Sequence, residues 1–280
     1  VKLSAARIKN FIIYAFGTFL LIVALVLVGF AACCLPFTTT LISNAVSTSE
    51  NSPYTHEQLV KLAEMTRDYT VDFRTAETTA AARANLADTV VNFAREDAAS
   101  GSAKGGEWTY AARAVLALDA SSEETTERLA RLSDRYALDE AALTHLDDVN
   151  RVVWDVLPGV LLLCLVAVVV FALLVKSKRW RLIADMLKSA PVVLFVKFGL
   201  LAGLALLDFN AFFAQFHRLF FAEGSWVFSA DSLLITMYPL PFWMSMAGVW
   251  LVVSLLFGIV FFVGGIKLGR YAKKCEVAAK

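Results

Sequence analysis

The chain has 280 residues, is 58% hydrophobic and 18% charged, and carries a net charge of +1, with a mean hydropathy of +0.63. Soluble domains hold more charge and less apolar content, so an ordinary soluble globular fold is excluded. The apolar residues are gathered into long runs, which identifies an integral membrane protein.

The first run covers residues 10–36 and follows the basic residues Lys2, Arg7 and Lys9. It exceeds the core of a signal peptide and ends at Cys33-Cys34-Leu35-Pro36, no convincing cleavage site, so an uncleaved first helix is predicted. Residues 37–156 then form a long polar segment, predicted to be a helical cap. Within it, Ser121 or Ser122 serves as a helix cap ahead of Glu123 and Glu124, and Asp139 caps the helix leading into the second run. The stretch "AASGSAKGG" at 98–106 reads as a flexible break. The segment is small for a domain and alanine-rich, so both an independent core and folding only against the membrane helices stay open. Its mild acidity speaks against nucleic acid as a partner.

Three further runs follow at 157–175, 191–210 and 242–266. Each is near the roughly 20 residues a helix needs to cross the hydrocarbon core. The loop 176–190 carries Lys176, Lys178, Arg179, Arg181 and Lys188 against Asp185, and the tail carries Lys267, Arg270, Lys273, Lys274 and Lys280 against Glu276. Both share one side with the basic N-terminus in a four-span layout, and the positive-inside rule makes that side cytoplasmic. Segment 40–155, with 20 acidic and 11 basic residues, falls on the opposite side, as does the aromatic segment 211–241. The expected fold is therefore an all-α membrane protein: four transmembrane helices, a helical extracytoplasmic cap and an interfacial aromatic segment. Lys197 enters the third span from the cytoplasmic end and is expected to snorkel back. No other span carries a charge near its middle and no repeated halves are visible, which argues against a transporter.

The four cysteines form no CxxC pair, and Cys33, Cys34 and Cys164 read as buried small hydrophobes. No HExxH, GxSxG or glycine-rich phosphate loop is present, so neither a metal nor a cofactor is implied. The three histidines, His56, His145 and His217, all fall outside by this topology. His56, beside a helix start, reads as a solvated surface residue. His145 has Asp148 at i+3, a carboxylate able to orient or pair with its ring. Spacing alone favours a surface His–Asp pair there. His217 is flanked by Phe213, Phe216, Phe220 and Phe221, with Trp226 and Phe228 following. Desolvation among these rings favours a neutral imidazole, the form a general base requires. A ring packed at the headgroup boundary fits the same residues equally well. Ser225 lies close by, and a serine nucleophile stays open.

Two segments taken together resemble a known family. His145, Leu146, Asp148 and Val149 precede the second span, and Phe216, His217, Leu219, Phe220, Phe221, Trp226, Leu234, Ile235, Pro239, Phe242 and Trp243 follow. The pattern is similar to that of bacterial four-helix integral membrane proteins that include the lipoprotein intramolecular transacylases. The resemblance implies acyl migration within a lipoprotein in the bacterial cytoplasmic membrane. The acyl chain at the sn-2 oxygen of the diacylglyceryl-cysteine would move to the α-amine of the same cysteine. His145 and His217 would serve as acid and base, Asp148 would support His145, and Phe213, Phe216, Phe220, Phe221 and Trp226 would line the lipid site. Its partners would be lipoproteins and membrane lipids. Two other readings stay open: a non-enzymatic envelope protein whose cap binds a partner, and another membrane acyltransferase or lipid hydrolase.

Overall fold

The computed structural model describes residues 4–47, 49–50, 52–100 and 106–278. Most of the predicted break at 98–106 thus lies outside the described residues. The described chain is helical throughout, without strands. In order it contains α1 (Ala5–Cys33), α2 (Pro36–Val46), α3 (His56–Val71), α4 (Ala76–Ser100), α5 (Gly106–Leu116), α6 (Ser122–Leu132), α7 (Glu140–Lys176), α8 (Trp180–Leu207), α9 (Phe209–Arg218), α10 (Leu233–Met237) and α11 (Leu240–Ala278). Two compact units share these elements. The first holds α1, α7 from Val156, α8, α9 up to Gln215 and α11 from Ala247; the second holds Cys34–Asp155 and Phe216–Met246.

The first unit is the membrane unit. Four of its helices, α1, α7, α8 and α11, are long and apolar enough to cross a bilayer. Their outer faces expose large apolar side chains, including Leu161, Leu165, Val168, Leu200 and Val260. Such a surface is tolerated in lipid, where apolar contact is the solvent condition, and not in water. Cys164 is exposed on this face, and Cys33 and Cys34 are only half-buried. The expectation of three buried cysteines is therefore corrected, because an apolar residue in a span can face outward as readily as inward.

Cohesion inside the membrane unit comes from close approach and a few polar contacts. Leu21, Leu174, Ile183, Met186 and Ala190 form a buried cluster joined by Tyr14, Phe171 and Phe261. A Cβ placed on Gly29 would meet Trp250 Cδ1 at 2.3 Å and Ser254 Oγ at 2.4 Å, so only glycine lets α1 and α11 come this near. Trp250 Nε1 then donates to Val26 O at 2.9 Å and Ser254 Oγ to Leu25 O at 3.1 Å. The predicted loop 176–190 is corrected: α8 begins at Trp180, leaving a short turn in which Lys178 adopts φ 52°. Charged residues end a hydropathy run without ending a helix, and here Lys188 pairs with Asp185 one turn away. Lys197 is exposed on α8.

The second unit has a core of its own, the alternative that its alanine content had left open. Tyr54, Leu59, Leu62, Ala63, Tyr69, Val91 and Leu129 are almost fully buried. Tyr54 packs edge-on to Phe93 and against Trp108, and Trp108 Nε1 donates to Asp97 at 2.8 Å. The helix starts are chemically specified. Thr55 and Gln58 form a capping box on α3, Ser121 caps α6, and Asp139 Oδ1 accepts from Ala142 N at the start of α7. His56 is half-buried, its Nδ1 3.0 Å from Ser47 O, rather than a solvated surface residue.

Part of the aromatic segment packs into the protein. Leu233 and Met237 are buried in this second core, as is Phe242 just after the segment, and Tyr238 donates to Ala63 O at 2.6 Å. Its sequence is as apolar as an interfacial one, and composition cannot separate lipid contact from contact with α3.

Asp147, which sequence reasoning passed over, anchors α7 inside this unit. Its carboxylate accepts from Tyr69 Oη at 2.6 Å, Arg83 Nη2 at 2.7 Å and Arg74 Nη2 at 3.0 Å. Burial pushes this carboxyl upward, but the three donors outweigh it and hold the group below the ordinary value. Further along the same helix, Asn150 donates to Thr70 O and Asp72 O, and Trp154 Nε1 to Val71 O. Residues 147, 150 and 154 thus fasten one face of α7 to the end of α3.

Candidate functional site

His145 lies two residues before Asp147. At about 100° per residue it projects from nearly the opposite face of the helix. Locking Asp147 onto α3 therefore fixes where His145 points. His217 is supplied from elsewhere in the chain, as the penultimate residue of α9. The two rings meet with centroids 6.1 Å apart, and each histidine is only 9% exposed.

The segment after His217 explains this burial. Helix α9 stops at Arg218, and the backbone N–H groups of Phe220 and Phe221 both donate to His217 O, at 3.0 and 2.9 Å. These two phenylalanines therefore sit on the turn that ends α9 rather than on a continuing helix. Gly224 takes φ 87°, a left-handed conformation that suits glycine, and the chain reverses. Arg218 reaches Glu223 at 3.3 Å across this reversal. The returning strand of chain is then pinned where Ser229 Oγ donates to Asp134 Oδ2 at 2.6 Å and Leu233 N to Asp134 O at 2.8 Å.

This fold-back wraps the histidines in rings. Phe221 lies edge-on to His145 at 4.9 Å and 5.8 Å from His217. Phe228 lies 5.6 Å from His145, Trp226 4.9 Å from His217 and Phe216 5.8 Å from His217. Phe228 is the ring that the lining set omitted; its spacing of eleven residues from His217 would share a face only in a continuous helix, and Gly224 interrupts the chain between them. Phe220 contacts Phe216 and Phe221 but is 47% exposed. Phe213 stacks on Phe209 within α9, at 6.0 Å. Ser225 Oγ donates to Ala222 O at 2.9 Å, a bond internal to the turn.

The environment sets the charge state of His145. Burial lowers its pKa first, the nearby His217 imidazole lowers it further, and Asp148 opposes both, leaving it at about 4 against an ordinary 6.5. His145 is thus a neutral imidazole across the physiological range. Asp148 does not orient it by a direct bond. Its carboxylate pairs with Arg151 at 2.9 Å, and His145 Nδ1 is buried with no hydrogen-bond partner among the described residues. The spacing i+3 permits two pairings for Asp148, to His145 behind it and to Arg151 ahead, and the arginine takes it. The support Asp148 gives is through charge alone. Trp226 Nε1 is likewise buried and unpartnered. No trio of His, Cys, Asp or Glu side chains suited to a metal ion occurs among the described residues.

A buried pair of imidazoles, one kept neutral, in an apolar shell is equipped to accept a proton at one point and deliver it at another.

Comparison with known proteins agrees with the sequence resemblance. The family described as "Lipoprotein intramolecular transacylase Lit" matches residues 114–243, which include both histidine segments. No curated protein matches. Among solved structures, the chain is similar to a histidine-to-arginine variant of the membrane integral lipoprotein intramolecular transacylase Lit from Bacillus cereus. The two share 14% identity over 98% of this chain and 96% of that one, with a TM-score of 0.61. A second structure of the Bacillus cereus protein gives 14% identity, 96% and 98% coverage and a TM-score of 0.58. The resemblance to this family of membrane proteins holds, and the fold is theirs.

Proposed function

We propose that this protein is a lipoprotein intramolecular transacylase of the bacterial cytoplasmic membrane, with His145 and His217 as its acid and base. The substrate is the diacylglyceryl-cysteine at a lipoprotein N-terminus. The α-amine nitrogen attacks the carbonyl carbon of the sn-2 ester. An amide bond forms, the ester C–O bond breaks, and the proton lost by the amine reaches the departing glycerol oxygen. No water is consumed, and donor and acceptor belong to one molecule, so proximity supplies much of the acceleration.

The observation that carries this reading is the buried His145–His217 pair, brought together from positions 72 residues apart and held in an aromatic shell. A free α-amine has a pKa of about 8 and is mostly protonated at neutral pH, so a base is needed. The ammonium first loses one proton to solvent. As the amine attacks, one neutral imidazole accepts its second proton and the other, in its protonated form, delivers one to the leaving oxygen; positioned acid–base help of this kind is worth about 10²–10⁴-fold. The distribution of basic residues supports a cytoplasmic placement of both termini and an extracytoplasmic one of the pair, where lipoprotein N-termini are handled.

The test is expression beside a reporter lipoprotein, with its N-terminal peptide analysed by mass spectrometry. The expected product has one acyl chain moved from glycerol to the α-amine at unchanged total mass, and His145→Ala and His217→Ala each abolish it. A peptide lighter by one acyl chain, with free fatty acid released, supports hydrolysis instead. An unmodified peptide in cells holding well-folded protein overturns the assignment.

A further inference from the structure

The transacylation reading leaves one chemical requirement unfilled. When the amine attacks, the ester carbonyl oxygen gains negative charge, and a donor must meet it. The imidazoles are occupied with moving protons. A group that donates without ever releasing its proton is better suited, because it stabilises the oxyanion without short-circuiting the transfer between them.

The indole N–H of Trp226 has these properties. Indole nitrogen is a donor only and does not ionise in this range. Three other tryptophans donate within the protein: Trp108 to Asp97, Trp154 to Val71 O and Trp250 to Val26 O. Trp226 Nε1 is buried and has no partner among the described residues. A buried donor left unsatisfied is costly and calls for an explanation. The position of Trp226 supplies one: its ring lies 4.9 Å from that of His217, tilted by 33°, in the same shell that leaves His145 Nδ1 unpartnered. Two unmatched polar atoms in one otherwise apolar cluster mark where a polar part of a substrate is received. In a diacylglyceryl-cysteine the polar groups that adjoin the acyl chains are the two esters, and the sn-2 ester is the one that reacts. Gly224 and the pinned return of the chain hold Trp226 over His217 before substrate arrives, so the donor is preorganised.

Resting on that reading, we propose that Trp226 is a catalytic residue whose indole N–H donates to the sn-2 ester carbonyl oxygen and stabilises its oxyanion during transfer. The donor serves the transition state more than the ground state. Its removal therefore lowers kcat and leaves KM for the lipoprotein substrate nearly unchanged.

The experiment uses the full-length protein in lipid nanodiscs with a diacylglyceryl lipopeptide, following N-acyl product by mass spectrometry. Position 226 is replaced by 3-benzothienylalanine, which keeps the bicyclic ring and exchanges N–H for sulfur, and separately by phenylalanine, Trp226→Phe. The sulfur isostere is expected to lose about 10²–10³-fold in kcat, the range typical of deleting one oxyanion donor. KM and thermal stability are expected to stay near the wild-type values, and Trp226→Phe to lose at least as much activity. If the isostere turns over at the wild-type rate, the ring acts by packing and this inference fails while the transacylase reading stands. If instead the wild-type protein yields no N-acyl product, the transacylase reading fails and this inference goes with it.

Discussion

Admitting water to His145 should restore its ordinary basicity, and Phe221 is the side chain to remove. Its ring lies edge-on at 4.9 Å from the imidazole, and burial is the leading cause of the depression to about 4 from an ordinary 6.5. At 1.36 kcal/mol per pKa unit this gap corresponds to about 3 kcal/mol between the charged and neutral forms. The sign follows from linkage. The unfolded chain binds the His145 proton below about 6.5 and the folded chain only below about 4. Stability from keeping the ring neutral is therefore complete above pH 6.5 and is lost progressively as pH falls through the folded value. In protein carrying ¹⁵N-labelled histidine, only three imidazoles need to be resolved. The wild-type His145 signal is expected to stay neutral down to about pH 5. Phe221→Ala is expected to move its midpoint upward toward 6.5. His217→Gln removes the second-ranked cause and is expected to move it by less. A wild-type midpoint near 6.5, or a Phe221→Ala titration that matches wild type, would refute the reasoning.

Three further outcomes are expected. Asp147→Ala leaves Arg74, Arg83 and Tyr69 without their shared acceptor and should destabilise the protein by about 2–3 kcal/mol in chemical denaturation, with transfer activity falling as α7 loses its anchor. Gly29→Leu forces a side chain into Trp250 and Ser254 and should lower the thermal unfolding temperature, by an overpacking cost of about 1–3 kcal/mol; a variant as stable as wild type would contradict the close approach of α1 and α11. Cys275 is exposed near the basic end of α11; a membrane-impermeant maleimide should label it only after cells are permeabilised, and labelling in intact cells would reverse the proposed orientation.

Much of the architecture was already written in the chain. The four spans follow from runs of apolar residues long enough to cross hydrocarbon, and the caps at Ser121 and Asp139 follow from local hydrogen-bond chemistry. Boundaries shifted where hydropathy and helix formation part company, as at Trp180, where a basic helix continues the third span past its apolar limit. The second core was hidden for another reason. Leu233, Met237 and Phe242 carry the same composition whether they meet lipid or α3, and only their burial distinguishes the two.

The candidate site divides along the same line. Spacing alone left both histidines open; the family resemblance pointed to His145 and His217 with Phe213, Phe216, Phe220, Phe221 and Trp226, because it resides in the order of residues. Of the adjacent Asp147 and Asp148, spacing picked out Asp148, yet Asp147 anchors α7 to three donors while Asp148 pairs with Arg151. Phe228 joined the shell only through the reversal at Gly224. The sequence by itself determined a four-span helical membrane protein and, through its family resemblance, two candidate imidazoles. Only the tertiary structure decided that they meet, that one is kept neutral, and that an indole N–H is left unpaired beside them. Those properties arise from distances between distant parts of the chain and from the exclusion of water, neither of which a linear order of residues contains.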